Sequence, residues 1–69
     1  MKFTEEEARQ FIKSEFERLG INPFLKVIES ECGANVHNSV IYKLIKGGSK
    51  PAFVIMLAYV LASAKQKSD

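Results

Sequence analysis

Apolar residues recur along this chain three and four positions apart and never in sustained alternation, so the pattern predicts helices and no strand. In the first segment Ala8, Ile12, Phe16 and Leu19 mark one stripe, widened by Phe11. Thr4 followed three residues on by Glu7 is a capping box, and Phe3 is placed to pack on Ala8. Gly20 is expected to end this helix in the left-handed conformation. The run Glu5-Glu6-Glu7 suits the positive end of the helix dipole and needs no metal to explain it. Asn22-Pro23 signals a second start, a capping side chain and then a proline at the first helical position. Phe24, Leu25, Val27, Ile28 and Cys32 are expected to face inward, with Gly33 as the stop. A short third helix carries Val40, Ile41, Leu44 and Ile45 on its apolar face. Pro51 introduces the last helix, and the tail 65–69 is expected to fray. The expected fold is a single all-α domain with helices at about 4–19, 23–32, 38–46 and 52–64.

The third helix is the most informative stretch. Ser39, Tyr42, Lys43 and Lys46 fall at i, i+3, i+4 and i+7, so they share the face opposite the apolar one, with Asn38 at its leading end. That face offers amide, hydroxyl and ammonium groups and no acid. A short helix with an apolar back and such a front is what reading the DNA major groove requires. An ordinary amphipathic surface helix is the plainer alternative.

The run Val36-His37-Asn38-Ser39-Val40-Ile41-Tyr42-Lys43-Leu44-Ile45-Lys46-Gly47, followed by Gly48-Ser49-Lys50-Pro51, resembles the recognition-helix segment of the lambda-repressor and Cro-like helix-turn-helix family. The likeness covers about residues 25–60 and is closer in its second half. The turn before it is longer than the family's, and Glu29 stands where the family prefers alanine. The resemblance implies a small four-helix, helix-turn-helix domain that binds double-stranded DNA as a repressor. On that reading Asn38 pairs with adenine N6/N7, Ser39 with several bases, and Lys43 with guanine O6/N7 or a phosphate. Tyr42, Lys46, Ser49 and Lys50 would touch the sugar-phosphate backbone, as would Asn22 at the start of the second helix. His37 is assigned to the backbone as well, a helix cap being its other role.

The last helix is apolar on every side from 53 to 62. Three short helices cannot cover all of that surface, and a helix apolar all round is normally buried all round. A homodimer is therefore expected, with Phe53, Met56, Tyr59 and Val60 at its interface.

Composition narrows the classes further. Sixty-nine residues make one domain, near the lower limit for a chain that folds on its own core. The lone Cys32 allows no internal disulfide, and no set of residues has zinc-ligand spacing, so a reducing cytoplasm is the expected compartment. The N-terminus lacks the apolar core of a signal peptide, and the longest apolar run is about half of a bilayer span. Net charge is only +2, but it is unevenly placed. Residues 1–31 hold seven acids and five bases, whereas 32–68 hold five lysines and no acid. A basic end can orient a nearly neutral molecule on a polyanion.

Catalysis has little to work with: one histidine, and no carboxylate cluster beyond a helix start. Gly47-Gly48-Ser49-Lys50 follows a helix and lacks the strand and upstream glycine of a phosphate loop, so it reads as a helix end and turn. No enzyme activity, cofactor or metal is expected. The competing function, from a different class, is the same fold reused to bind a protein as an inhibitor or adaptor, docking through its apolar last helix.

Overall fold

A computed structural model describes residues 2–68, without the side chain of Ser68. Among these residues four helices form an all-α domain: α1 (Glu5–Leu19), α2 (Ile21–Cys32), α3 (Asn38–Ile45) and α4 (Pro51–Ser68). The radius of gyration, 10.8 Å, matches the roughly 11 Å of a compact chain this long, so one core serves all four. α4 lies along α1 and also meets α2, while α3 packs mainly on α1.

α1 starts as its sequence dictates. Thr4 Oγ1 accepts from the Glu7 N–H at 3.1 Å, and the Thr4 N–H donates to Glu7 Oε1 at 3.0 Å. Phe3 stacks on Phe11, with centroids 5.4 Å apart, and meets Tyr59 edge-on at 5.2 Å. The buried stripe of α1 is Ala8, Ile12 and Glu15, with Phe11, Phe16 and Leu19 half-buried beside it. Phe16 meets both Phe24 of α2 and Tyr42 of α3 edge-on, at 5.7 and 5.6 Å. One ring thus ties three helices together, in the geometry that aromatic quadrupoles favour.

The α1–α2 corner differs from expectation. Gly20 is not in the left-handed helical conformation; at φ 82° and ψ 162° it is both the C-cap of α1 and the N-cap of α2. Its N–H donates to the Phe16 carbonyl at 2.9 Å, and its carbonyl accepts from the Phe24 N–H at 3.0 Å. Leaving α1 sets the positive φ and entering α2 sets the extended ψ, a pairing essentially restricted to glycine. Asn22 therefore lies inside the first turn of α2 and does not cap it. Pro23 sits one turn deep, where its missing N–H still costs nothing, because the first four N–H groups of a helix have no internal partner.

In α2, Phe24 and Ile28 are buried, and Leu25 and Val27 are half-buried. Cys32, expected inside, is exposed. It is the last residue of α2, and Gly33 turns the chain away at φ 73° before any element can cover the thiol. α3 follows expectation, with Ile41 and Leu44 fully buried.

α4 buries Val54, Leu57, Ala58 and Leu61. It also runs on to Ser68, past the expected end at 64. Lys67 pairs with Glu31 at 3.0 Å, and Lys65 lies 3.9 Å from Glu15 and over the Phe11 ring, so two lysines fasten the last turns to α2 and α1. Lysines there also suit the negative end of the helix dipole. Asp69, the end of the tail expected to fray, lies outside the described residues.

Glu15 is a buried charge that the sequence pattern did not single out. Its carboxylate accepts from Arg18 Nη2 at 2.7 Å and Nε at 3.1 Å. These hydrogen bonds hold the carboxyl below its ordinary value of 4.5; burial opposes them, and the charges of Arg18 and Lys65 add to the lowering.

Candidate nucleic-acid interface

The outward side of α3 is built from its own short sequence. His37, in extended backbone at φ −70° and ψ 144°, is the N-cap. Its Nδ1 accepts from the Ser39 N–H at 3.1 Å and lies 2.8 Å from Ser39 Oγ. A nitrogen that accepts a backbone N–H carries no proton, so the neutral ring holds its proton on Nε2. The cap role weighed for His37 is thus the one in place, and it still leaves Nε2–H as a donor on an exposed ring.

Asn38, Ser39, Tyr42, Lys43 and Lys46 are all exposed. Tyr42, at 43% exposure, rests its ring on Phe16, which fixes where its hydroxyl emerges. The Lys43 stem lies along Gly48: a Cβ at residue 48 would come within 2.6 Å of Lys43 Cγ and 3.0 Å of the Lys43 carbonyl oxygen. Gly48 is needed for this close approach, which runs along the stem as far as Lys43 Cε, 3.1 Å from the same Cβ position.

The turn after α3 is held from α1. Arg9 Nη1 donates to the Leu44 carbonyl at 2.5 Å and to the Gly48 carbonyl at 2.6 Å, and Nη2 donates to the Ser49 carbonyl at 3.4 Å. Glu5, one turn back on α1, accepts from Nη2 at 2.9 Å. The guanidinium therefore gathers carbonyls from the last turn of α3 and from the turn after it, at the negative end of the helix dipole. Gly47, at φ 105°, and Ser49, at φ 74°, complete the reversal. Lys46 and Lys50 on this turn are exposed, while Ser49 is half-buried.

Asn22 is exposed in the first turn of α2, which has no side-chain cap. With Pro23 lacking an N–H, Ile21 and Asn22 supply the backbone donors at that end.

The expected interface residues of α4 divide. Phe53 and Met56 are exposed, Met56 at 67%, and with half-buried Val60 they edge a small apolar hollow of about 110 Å3 shared with Cys32 and Val36. Tyr59, 40% exposed, is engaged within the chain: its hydroxyl accepts from the Phe3 N–H at 3.3 Å.

Sequence reasoning passed over Arg9. An arginine inside a first helix gives no local sign that it caps a helix thirty-five residues on. The glycine pair and the carbonyl-rich turn were visible; their partner was not. Among the described residues there is no group of three or more metal-ligating side chains, and no helix is long and apolar enough to cross a membrane. No protein-family model, curated protein or solved structure matches the chain.

Proposed function

We propose that this domain binds double-stranded DNA sequence-specifically, as a dimeric, Cro-like repressor acting in the cytoplasm, with α2 and α3 as its helix-turn-helix. One observation carries the reading: α3 buries Ile41 and Leu44 completely while Asn38, Ser39, Lys43 and Lys46 all stand exposed on the other side, with no carboxylate among them. Asn38 and Ser39 lie in the first turn of α3, the end that enters the groove, and Lys43 follows one turn on. Base edges are read by these three. His37 Nε2–H, the Tyr42 hydroxyl, Lys46, Lys50 and the start of α2 at Asn22 hold phosphates and set the register. Ser49 serves mainly through its backbone, which shapes the turn.

The dimer forms through the exposed side of α4 around Phe53, Met56 and Val60. Sedimentation at micromolar concentrations is expected to give a dimer, and Met56→Glu a monomer; a parent protein that is only monomeric removes this part of the reading.

The test of function is a duplex titration over a range of salt. Each phosphate neutralised contributes about −0.9 to the slope of log K against log salt, so Lys46 and Lys50 give a slope of roughly −2 per protomer. The same apolar hollow beside α4 favours a second reading, an inhibitor or adaptor that docks on a protein. A parent protein that binds no duplex even at low salt would leave that reading standing and remove the first.

A further inference from the structure

We propose that Arg9 is the positioning residue of the turn at 46–50, so that a helix outside the reading unit sets where Lys46 and Lys50 meet the phosphate backbone. The proposal deepens the DNA-binding reading and, for the two lysines, rests on it.

The turn satisfies some of its own backbone groups and not others. Its amides are provided for: Lys46 N–H donates to the Tyr42 carbonyl at 3.1 Å, Gly47 N–H to Leu44 at 3.1 Å and Gly48 N–H to Lys43 at 2.8 Å. The carbonyls of Gly48 and Ser49 have no such partner within the turn and converge, with the Leu44 carbonyl that already accepts from Gly47, on one guanidinium from α1. This segment includes Gly47, Gly48 and a serine at φ 74°, a stretch whose backbone has many alternatives unless something selects one. A planar fork with several fixed donors can select; a flexible ammonium cannot hold three acceptors in one arrangement.

Arg9 is also poorly placed to contact DNA itself. Its side chain is only 17% exposed and its outer nitrogen is held by Glu5 at 2.9 Å. The cation is committed inward, and the cations it arranges, Lys46 and Lys50, are exposed on the turn it holds. This separates support from contact: removing Arg9 takes away no phosphate contact directly, yet it loosens the segment that carries two.

The experiment compares the parent with Arg9→Gln and Arg9→Lys, each first verified as helical by circular dichroism. Two quantities are read: hydrogen exchange at the Gly47 and Gly48 amides, and the salt dependence of binding to a random-sequence DNA duplex. Both variants should exchange faster at those amides, by roughly tenfold, as local opening becomes easier. Their affinity should also fall less between about 50 and 200 mM salt, by roughly tenfold for two lost phosphate contacts. Lys50→Ala added to Arg9→Gln should then flatten the slope little further, although it flattens that of the parent. If Arg9→Gln does not fold, Arg9→Lys carries the same comparison.

Parent-like exchange in the folded variants overturns the clamp. Faster exchange with an unchanged salt slope overturns the positioning of the lysines and leaves Arg9 a structural cap. A parent that binds no duplex refutes the DNA reading instead, and exchange alone then decides whether Arg9 holds the turn.

Discussion

Glu15→Gln isolates the contribution of the ion pair that buried Glu15 makes with Arg18, one turn on in α1. The parent carboxylate is 6% exposed and accepts two hydrogen bonds from Arg18, whose own side chain is 53% exposed. A hydrogen bond to a charged group contributes about 1.5–3 kcal/mol when well shielded. Here solvent reaches the arginine and glutamine keeps one acceptor oxygen, so the net loss is expected at about 1–2 kcal/mol. For a domain this size each kcal/mol moves Tm by about 4–8 °C, which makes the change easy to read by thermal melting. The pH dependence is the sharper part. Because the folded carboxyl titrates below its ordinary value of 4.5, its stabilisation is fully present above that value and is lost as pH falls through the lower folded one. The other carboxylates titrate in both proteins and cancel in the difference. The Tm gap between parent and variant should therefore be constant from neutral pH to about pH 5 and close on further acidification. Glu15→Leu should do better than Glu15→Gln, since Leu19, Val27, Leu61 and Ala64 border this site and an apolar replacement removes the desolvation cost of the charge. A gap that persists unchanged well below pH 4, or no gap at neutral pH, would refute the reasoning.

Alanine at the two sides of α3 should fail in different ways. Ile41→Ala or Leu44→Ala should cost about 2–5 kcal/mol of stability, seen in urea melts, whereas Asn38→Ala or Lys43→Ala should leave melting nearly unchanged and weaken a preferred duplex by about 1–3 kcal/mol. Equal affinity of the Asn38 and Lys43 variants for that duplex would show that α3 reads no bases. Gly48→Ala places a methyl 2.6 Å from Lys43 Cγ and 3.0 Å from a backbone oxygen, so it should destabilise by about 1–3 kcal/mol through overpacking; a neutral result in the same melts would mean that the turn relaxes freely.

What the sequence disclosed was mostly local. The capping box at Thr4 and Glu7, the stop at Gly33 and the split of α3 into buried Ile41 and Leu44 against exposed Ser39, Lys43 and Lys46 all follow from spacing, and all are present. The departures arise where a residue answers to two elements at once. Asn22-Pro23 reads as a helix start in isolation, but Gly20 already supplies the turn for both neighbours, and α2 begins before it. Cys32 has the character of a core residue but falls at the edge where its helix ends. Arg9 and Glu15 are polar members of an amphipathic helix by pattern; the carbonyls that Arg9 holds, and the Lys65 that joins Arg18 at Glu15, lie across the fold, beyond any local signal. The candidate site is legible to the same extent: its exposed face from periodicity, its support only from tertiary structure.

The single-glycine corner at Gly20 bears on how this chain can vary in length. A helix turns by about 100° per residue, so one residue inserted between α1 and α2 would swing Phe24 and Ile28 out of the core and bring polar positions in. Deleting Gly20 would fuse two helices that must diverge. The segment at 33–37, lying outside any helix, faces no such phase constraint at its middle, where Ala34 and Asn35 are exposed. Insertions and deletions should therefore collect there and be excluded from the first corner, so that α1 and α2 behave as one bracket of fixed angle while the spacing from α2 to α3 remains free to change.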